Sequence, residues 1–321
     1  MFGQIAIKRA IKRSTGWTAT FTHMLSGSIS GPSACILYYH RIADVDFIDP
    51  QIDDHNVLPA VFERQIAALA DWSEIVPLTE VMQRLQQPAA TAKPLVSLTF
   101  DDGYANFYSN ALPILKRYNA PATLSVVTGI IGRPDPAPFD KWGLKNSHRA
   151  PSDAWRPLSW NELERCLDSG LVTLGAHSQE HLRANDCTRE KIQDEVNRSA
   201  RILRSRFGES NVPVYAYPYG NSFMGHVPND YETAVRDAGF ELAVTTDFGQ
   251  VLGDHAPFRL PRVEAHGLDI PATLRAKVQS RISPYYLHDY CRAIAFRSRN
   301  GKSKRPEDRN SVSKTATVFP R

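Results

Sequence analysis

Two neighbouring carboxylates stand directly behind an apolar run, in Leu98-Thr-Phe-Asp101-Asp102-Gly103. Adjacent acids beside a core are costly unless something compensates them, and a cation is the usual compensation. Asp-Gly is also a common turn dipeptide, so by itself the pair reads equally as a solvated turn. Further on, His177-Ser-Gln-Glu-His181 spaces two imidazoles at i and i+4. On one helix turn that spacing brings both within reach of one ion. Ten histidines in 321 residues produce such a pair by chance often enough that it carries little alone. Together, one carboxylate and two imidazoles make a hydrolytic metal site with open positions for water and substrate. The second carboxylate is then left over as a general base.

Residues so far apart need a scaffold that converges them. Short apolar, β-branched runs recur at Cys35–Tyr39, Leu95–Phe100, Ala122–Thr128, Val172–Ala176, Pro213–Tyr217, Leu242–Thr245 and Phe258–Val263. Most are continuous rather than alternating, which suits strands buried on both faces of a parallel sheet. The seventh is the weakest, because Pro261 cannot donate a ladder hydrogen bond. Helical patterns lie between them: Pro59–Trp72, Ala111–Tyr118, Trp160–Leu167 with Ser159 as N-cap, Arg189–Phe207, and Tyr231–Ala238 ending at Gly239. Strand–helix alternation implies parallel β/α architecture. Seven strands suit a barrel one short of the eight-stranded kind, with an open doubly wound sheet as the rival. The polar residues fall just after the strands: His40, Asp101 and Asp102, His177, Tyr219, Asp247. In β/α barrels the chemistry sits on those loops.

Bulk composition narrows the function classes. The 42% hydrophobic content is that of a globular protein with a sizeable core, and a formal charge of +4 gives no argument for nucleic acid. Cys35, Cys166, Cys187 and Cys291 show neither CxxC nor zinc-finger spacing. No secretory signal and no run of transmembrane length is visible, which makes the cytoplasm the default expectation. No acidic residue precedes Asp44, and Ile7, Ala10, Ile11 and Ser14 share a potential helix face among Lys8, Arg9, Lys12 and Arg13. That pattern reads as a solvated basic leader or as a weak membrane-surface contact. The expected organisation is a leader over 1–32, a catalytic domain over 33–290 and a disordered basic tail over 291–321.

The motifs in their order resemble the polysaccharide deacetylases of the NodB homology type, carbohydrate esterase family four. Thr99-Phe-Asp-Asp-Gly103 matches the family's first motif, His177-Ser-Gln-Glu-His181 its H-[ST]-x-x-H motif, and Pro218-Tyr-Gly220 its third. Leu112-Pro-Ile-Leu, Ala120-Pro-Ala-Thr, Leu158-Ser-Trp-Asn-Glu-Leu and Leu260-Pro-Arg-Val extend the likeness over about residues 33–265. The resemblance implies a distorted (β/α)7 barrel that removes N-acetyl groups from an N-acetylated glycan with a divalent metal, zinc being the first choice. It implies Asp102, His177 and His181 as metal ligands, Asp101 as general base and the Tyr219 N–H as an oxyanion donor. A non-catalytic carbohydrate-binding protein on the same fold, or a deacylase of a non-sugar amide or ester, are the alternatives.

Two departures stand out. The family's L-x-H general acid is missing after the seventh strand, where His266 is the nearest histidine and His288 lies well beyond. A subgroup resembling poly-N-acetylglucosamine deacetylases carries its acid histidine ahead of the aspartates, in a Y-H motif matched here by Tyr39-His40. His40 is therefore the expected acid. The arginine that usually contacts the catalytic aspartate is replaced by Ala216, with Arg262 as a candidate substitute and Asp247 as a candidate partner for His40. Tyr104, Trp142, Trp155 and Tyr219 are candidates for stacking on sugar faces, with core packing as the competing role.

Overall fold

The computed structural model describes residues 33–49, 51–52, 55–87 and 93–279. The expected basic leader, the basic tail and His288 lie outside them. The strands are β1 Ser33–Tyr39, β2 Glu74–Ile75, β3 Leu95–Phe100, β4 Ala122–Val126, β5 Val172–Ala176, β6 Val214–Ala216, β7 Leu242–Val244, β8 Val251–Leu252 and β9 Val263–Glu264. The helices are α1 Pro59–Trp72, α2 Val81–Gln86, α3 Leu112–Arg117, α4 Lys141–Asn146, α5 Trp160–Leu167, α6 Arg189–Phe207, α7 Asn229–Asp237 and α8 Pro271–Gln279.

Strands β7, β6, β5, β4, β3 and β1 pair in that order, each parallel to the next. On the far side of β1, β9 adds two parallel residues and β8 two antiparallel ones. The segment leading into β9 also reaches back to β7. Val244 bridges Leu260, and the Thr245 N–H donates to the Leu260 carbonyl at 2.9 Å. One stretch of chain thus touches both ends of the sheet, which curls into an incomplete, distorted (β/α) barrel. Pro261 sits between the two contacts. The seventh run accordingly yields only Val263–Glu264 as strand.

Strand parity places the chemistry. In β3, Val96, Leu98 and Phe100 join the large apolar cluster under the helices. Ser97 and Thr99 alternate with them, and Asp101 continues their side. In β5, Leu174 and Ala176 face the helices, so Gly175 and then His177 fall on the other face. In β1, Leu37 and Tyr39 pack outward while Ile36 belongs to a second cluster with Val214, Ala216, Val244 and Leu260. His40 continues the Ile36–Tyr38 side. Period-two alternation alone therefore turns Asp101, His177 and His40 towards the barrel interior.

Local signals set several helix ends. Ser159 and Glu162 form a reciprocal capping box that starts α5. Thr188 caps α6 through the Lys191 N–H, and Gly208 ends it at φ 83°. Pro59 occupies the first turn of α1, where its missing N–H costs nothing. The expected helix at Ala111–Tyr118 is shorter, because Phe107–Ala111 forms a wider π turn before α3. The expected strand Ala122–Thr128 stops at Val126, and Thr128–Ile130 becomes a 3₁₀ turn at the mouth of the barrel.

Candidate active site

Asp101 still belongs to the ladder, its N–H donating to the Tyr39 carbonyl at 3.0 Å. The next two residues break away. Asp102 has φ 72° and Gly103 φ 77°, both left-handed. A Cβ at position 103 would meet Val126 Cγ1 at 2.9 Å, so glycine satisfies both conformation and space. This turn leaves two adjacent carboxylates pointing to different partners.

The segment His177–His181 is not the helix turn that its i, i+4 spacing suggested. It is an irregular loop in which Ser178 (φ 59°) and His181 (φ 56°) are left-handed. Neighbouring elements pin it. The His177 N–H donates to Val126 O, while the Thr128 and Gly129 N–H groups donate to Ser178 O and Gln179 O at 3.2 and 2.8 Å. The buried carboxylate of Glu195 on α6 accepts the N–H groups of Gln179 and Glu180 at 3.0 and 2.8 Å. A loop so held brings both imidazoles in without helical geometry.

His177 Nε2 and His181 Nε2 each lie 3.5 Å from Asp102 Oδ1. The three ligand atoms are mutually within 4.8 Å. His177 Nδ1 is 2.7 Å from the Ala216 carbonyl. A proton on Nδ1 satisfies that contact and leaves Nε2 bare, the orientation expected of a metal-ligating histidine. Asp102 Oδ1 is buried and accepts no hydrogen bond. Burial pushes the Asp102 carboxyl up to about 6, and burial with His177 nearby pushes His181 well below its ordinary range. A bare buried carboxylate oxygen facing two imidazole Nε2 atoms fits a divalent cation.

Asp101 is held differently. Arg262, fully buried, donates Nη1 and Nη2 to its two oxygens at 2.9 and 2.7 Å. Arg262 is itself tethered to Thr245 O at 2.8 Å and Thr99 Oγ1 at 3.1 Å. Burial opposes ionisation of Asp101, but Arg262 and the nearby histidines win and hold it well below the usual carboxylate range. One carboxylate is thus kept as a fixed anion beside another whose Oδ1 faces the two imidazoles.

Comparisons with known proteins agree with this geometry. The family profile described as polysaccharide deacetylase matches residues 89–243. A poly-beta-1,6-N-acetyl-D-glucosamine N-deacetylase of Staphylococcus aureus is 24% identical over 249 residues, covering 72% of this chain and 78% of that protein. Deacetylase PplD of Streptococcus pyogenes superposes with a TM-score of 0.63 at 23% identity, over 78% of this chain and all of that one. IcaB from Ammonifex degensii gives 0.60 at 22%, over 79% of this chain and all of that one. The fold is that of the NodB-type polysaccharide deacetylases, and residues 89–243 are similar to that family. The chain is related to the poly-N-acetylglucosamine deacetylases, and its fold and Asp/His/His set are those of a hydrolase of that type.

Around this centre the remaining expected residues gather unevenly. His40 stands half-buried at the end of β1. Burial and the neighbouring His55 push its imidazole down to about 3, with Asp101 and Glu264 pulling the other way. Tyr219 is left-handed (φ 61°), and its ring packs against His181 at 4.7 Å. Asp247, the candidate partner for His40, makes its contact with the Tyr219 loop. Its carboxylate accepts the Ser222 N–H at 2.9 Å and so braces the loop that carries Tyr219. His266 is occupied by its own loop, its Nδ1 accepting the Leu268 N–H at 3.1 Å.

Two of the proposed sugar-stacking aromatics are core residues. Tyr104 and Trp142 are buried, and the Arg41 guanidinium lies over both rings at 4.1 and 4.8 Å. Arg41 also pairs with Asp140 and donates to Ala154 O at 2.5 Å, tying the β1 loop to the long β4 connection. Phe139, stacked on His181 at 4.1 Å, is an aromatic of the site that no sequence motif marked. No sequence motif marked Glu195 or Arg41 either, and both are buried. Cys35, Cys166 and Cys187 are free thiols.

Proposed function

We propose that this protein hydrolyses the N-acetyl groups of a β-linked poly-N-acetylglucosamine, releasing acetate and leaving glucosamine units. The observation that carries the reading is the division of labour between two adjacent aspartates. Asp102 faces the Nε2 atoms of His177 and His181 at 3.5 Å with its Oδ1 accepting no hydrogen bond, while Asp101 is clamped as an anion by Arg262. A bound divalent ion, held by Asp102, His177 and His181, would polarise the acetyl carbonyl and ease deprotonation of water. Zinc suits two imidazoles and one carboxylate.

The chain's own groups supply the rest. Asp101, held in place by Arg262, takes a proton from the attacking water. The Tyr219 N–H donates to the oxyanion that develops on the acetyl oxygen. His40 gives a proton to the amine nitrogen as the carbon–nitrogen bond breaks, without which the amide nitrogen is a poor leaving group. Acetate and a free amine result. The glycan assignment is supported by the Staphylococcus aureus relative, which is named for poly-beta-1,6-N-acetyl-D-glucosamine, and by the histidine placed ahead of the aspartates.

A peripheral position at an anionic membrane completes the proposal. Among the described residues the exposed large apolar side chains are Ile48, Leu58, Leu144, Leu268 and Ile270. All lie on connections at the C-terminal ends of strands, the face that carries the site. The leader adds four cations with no acid before Asp44. No helix among the described residues is long and apolar enough to cross a membrane. The test of the activity is an acetate-release screen with purified protein across β-1,6- and β-1,4-linked N-acetylglucosamine oligomers, with and without chelator. Chelator-sensitive release, greatest on the β-1,6 oligomer, supports the reading; absence of release from any of them contradicts it.

A further inference from the structure

His40 shares its corner of the cleft with two groups that the mechanism does not use. Its ring lies 4.9 Å from that of His55, centroid to centroid, at an interplanar angle of 35°. His55 Nδ1 stands 3.3 Å from Glu264 Oε1. Tyr38 meets the His40 ring edge-on at 5.7 Å.

These groups come from separate segments, and the backbone fixes each one. Glu264 sits on β9 opposite Tyr38, two residues before His40. His55 lies in the β1–α1 connection, where the Arg41 N–H donates to its carbonyl at 3.3 Å and the Val57 N–H returns to Arg41 O at 2.9 Å. The Asn56 side chain locks the same stretch to Ala43 through two bonds of 2.9 Å. His55 is left-handed, at φ 47°. Holding a non-glycine residue there costs energy, and such strain gathers at sites where a side chain must be aimed.

We propose that His55, braced by Glu264, is a positioning residue that sets the ring orientation and the proton affinity of His40. The proposal rests on the reading of His40 as the proton donor. The charged groups facing His40 are His55 from the β1–α1 connection, Glu264 and Arg262 from the β9 segment, Asp101 behind β3 and, more distantly, His181 from the loop after β5. His55 opposes protonation of His40 and Glu264 favours it. Both reach solvent, with side chains 45% and 27% exposed, so substitutions there leave the core intact.

The experiment uses the full chain loaded with zinc, as wild type, His55→Gln and Glu264→Gln, with Glu264→Asp as the conservative variant. Acetate release is read as kcat and KM against pH, and the His40 ring proton is followed by NMR titration. Each Gln variant should lower kcat by about tenfold or more, part of what a general acid contributes. KM and bound zinc should stay within about twofold, the split expected of residues that act through His40. The His40 titration should move to lower pH in Glu264→Gln and to higher pH in His55→Gln, and Glu264→Asp should recover part of the wild-type kcat. Unchanged kcat together with an unmoved His40 titration in both Gln variants overturns the proposal. Should the wild type release no acetate, the deacetylase reading fails separately. The pair is then decided by NMR alone, opposite shifts supporting it and coincident titrations refuting it.

Discussion

Arg262 grips both carboxylate oxygens of Asp101, at 2.9 and 2.7 Å, across 161 residues of sequence. The arginine that the family usually places two residues before Pro218 is Ala216 here. Ala216 instead offers its carbonyl to His177 Nδ1. The guanidinium arrives from a different strand, behind Pro261, and reaches the same kind of carboxylate. Bidentate geometry fixes the plane of the base as well as its charge.

Removing that clamp should hurt both stability and rate. Arg262→Met leaves a buried, uncompensated carboxylate, and loss of one partner of a buried pair costs about 3–5 kcal/mol. Arg262→Lys keeps the charge but not the fork, and should lower kcat more than it lowers stability. Denaturant unfolding alongside acetate release measures both. Equal stability of wild type and Arg262→Met would contradict the clamp.

The metal site predicts a pH signature. In the metal-free protein Asp102 is raised to about 6, above its unfolded value. Its contribution to stability is therefore present at acid pH and lost as pH rises through about 6. A cation reverses this by stabilising the ionised form, and protons compete with it below that value. The rise in Tm on adding zinc should be larger at pH 7.5 than at pH 5, measured by thermal unfolding of stripped and reloaded protein. A rise independent of pH would count against Asp102 as a ligand.

Glu195 offers a test remote from the ion. Its one carboxylate oxygen holds two N–H groups of the histidine loop. Glu195→Ala leaves those donors without their partner, at about 1–3 kcal/mol. By loosening His181 it should weaken zinc binding by roughly 10–100-fold, as loss of supporting contacts does elsewhere. Glu195→Gln, which keeps an acceptor, should fall between. Competitive chelator titration reads the affinity.

The membrane contact is tested with the leader. The full chain should pellet with anionic vesicles, and a form lacking residues 1–25 should pellet less. Replacing Leu268 and Ile270 with serine in the full chain should also reduce pelleting, if the rim of the site touches lipid. Equal pelleting of all three forms would remove the membrane from the account.

Much of the scaffold was readable from residues alone. The runs at Leu95–Phe100 and Val172–Ala176 are strands with those bounds, and Pro59–Trp72, Trp160–Leu167 and Arg189–Phe207 are helices with those bounds. They are long or well capped, and their apolar patterns have one explanation. The misses are local. The spacing of His177 and His181 suggested a helix turn, but left-handed Ser178 and His181 make a loop whose shape depends on Glu195, fourteen residues beyond His181. For Tyr104 and Trp142 the competing core role holds, with the buried Arg41 guanidinium lying over both rings. Two-residue strands such as β2 and β8 leave no periodic signal to read. In each case the deciding contact crosses between segments that no sequence pattern links.

The central claim is that Asp102, His177 and His181 hold one divalent ion on which deacetylation depends while Asp101 acts beside it. The most direct measurement is acetate release by stripped protein during stepwise addition of zinc, for wild type, Asp101→Asn and Asp102→Asn. The account predicts that wild-type activity returns in proportion to zinc and saturates at one ion per chain. Asp101→Asn should bind the ion and remain nearly inactive, and Asp102→Asn should lose binding and activity together. Full activity in stripped wild type, or tight zinc binding by Asp102→Asn, would contradict it.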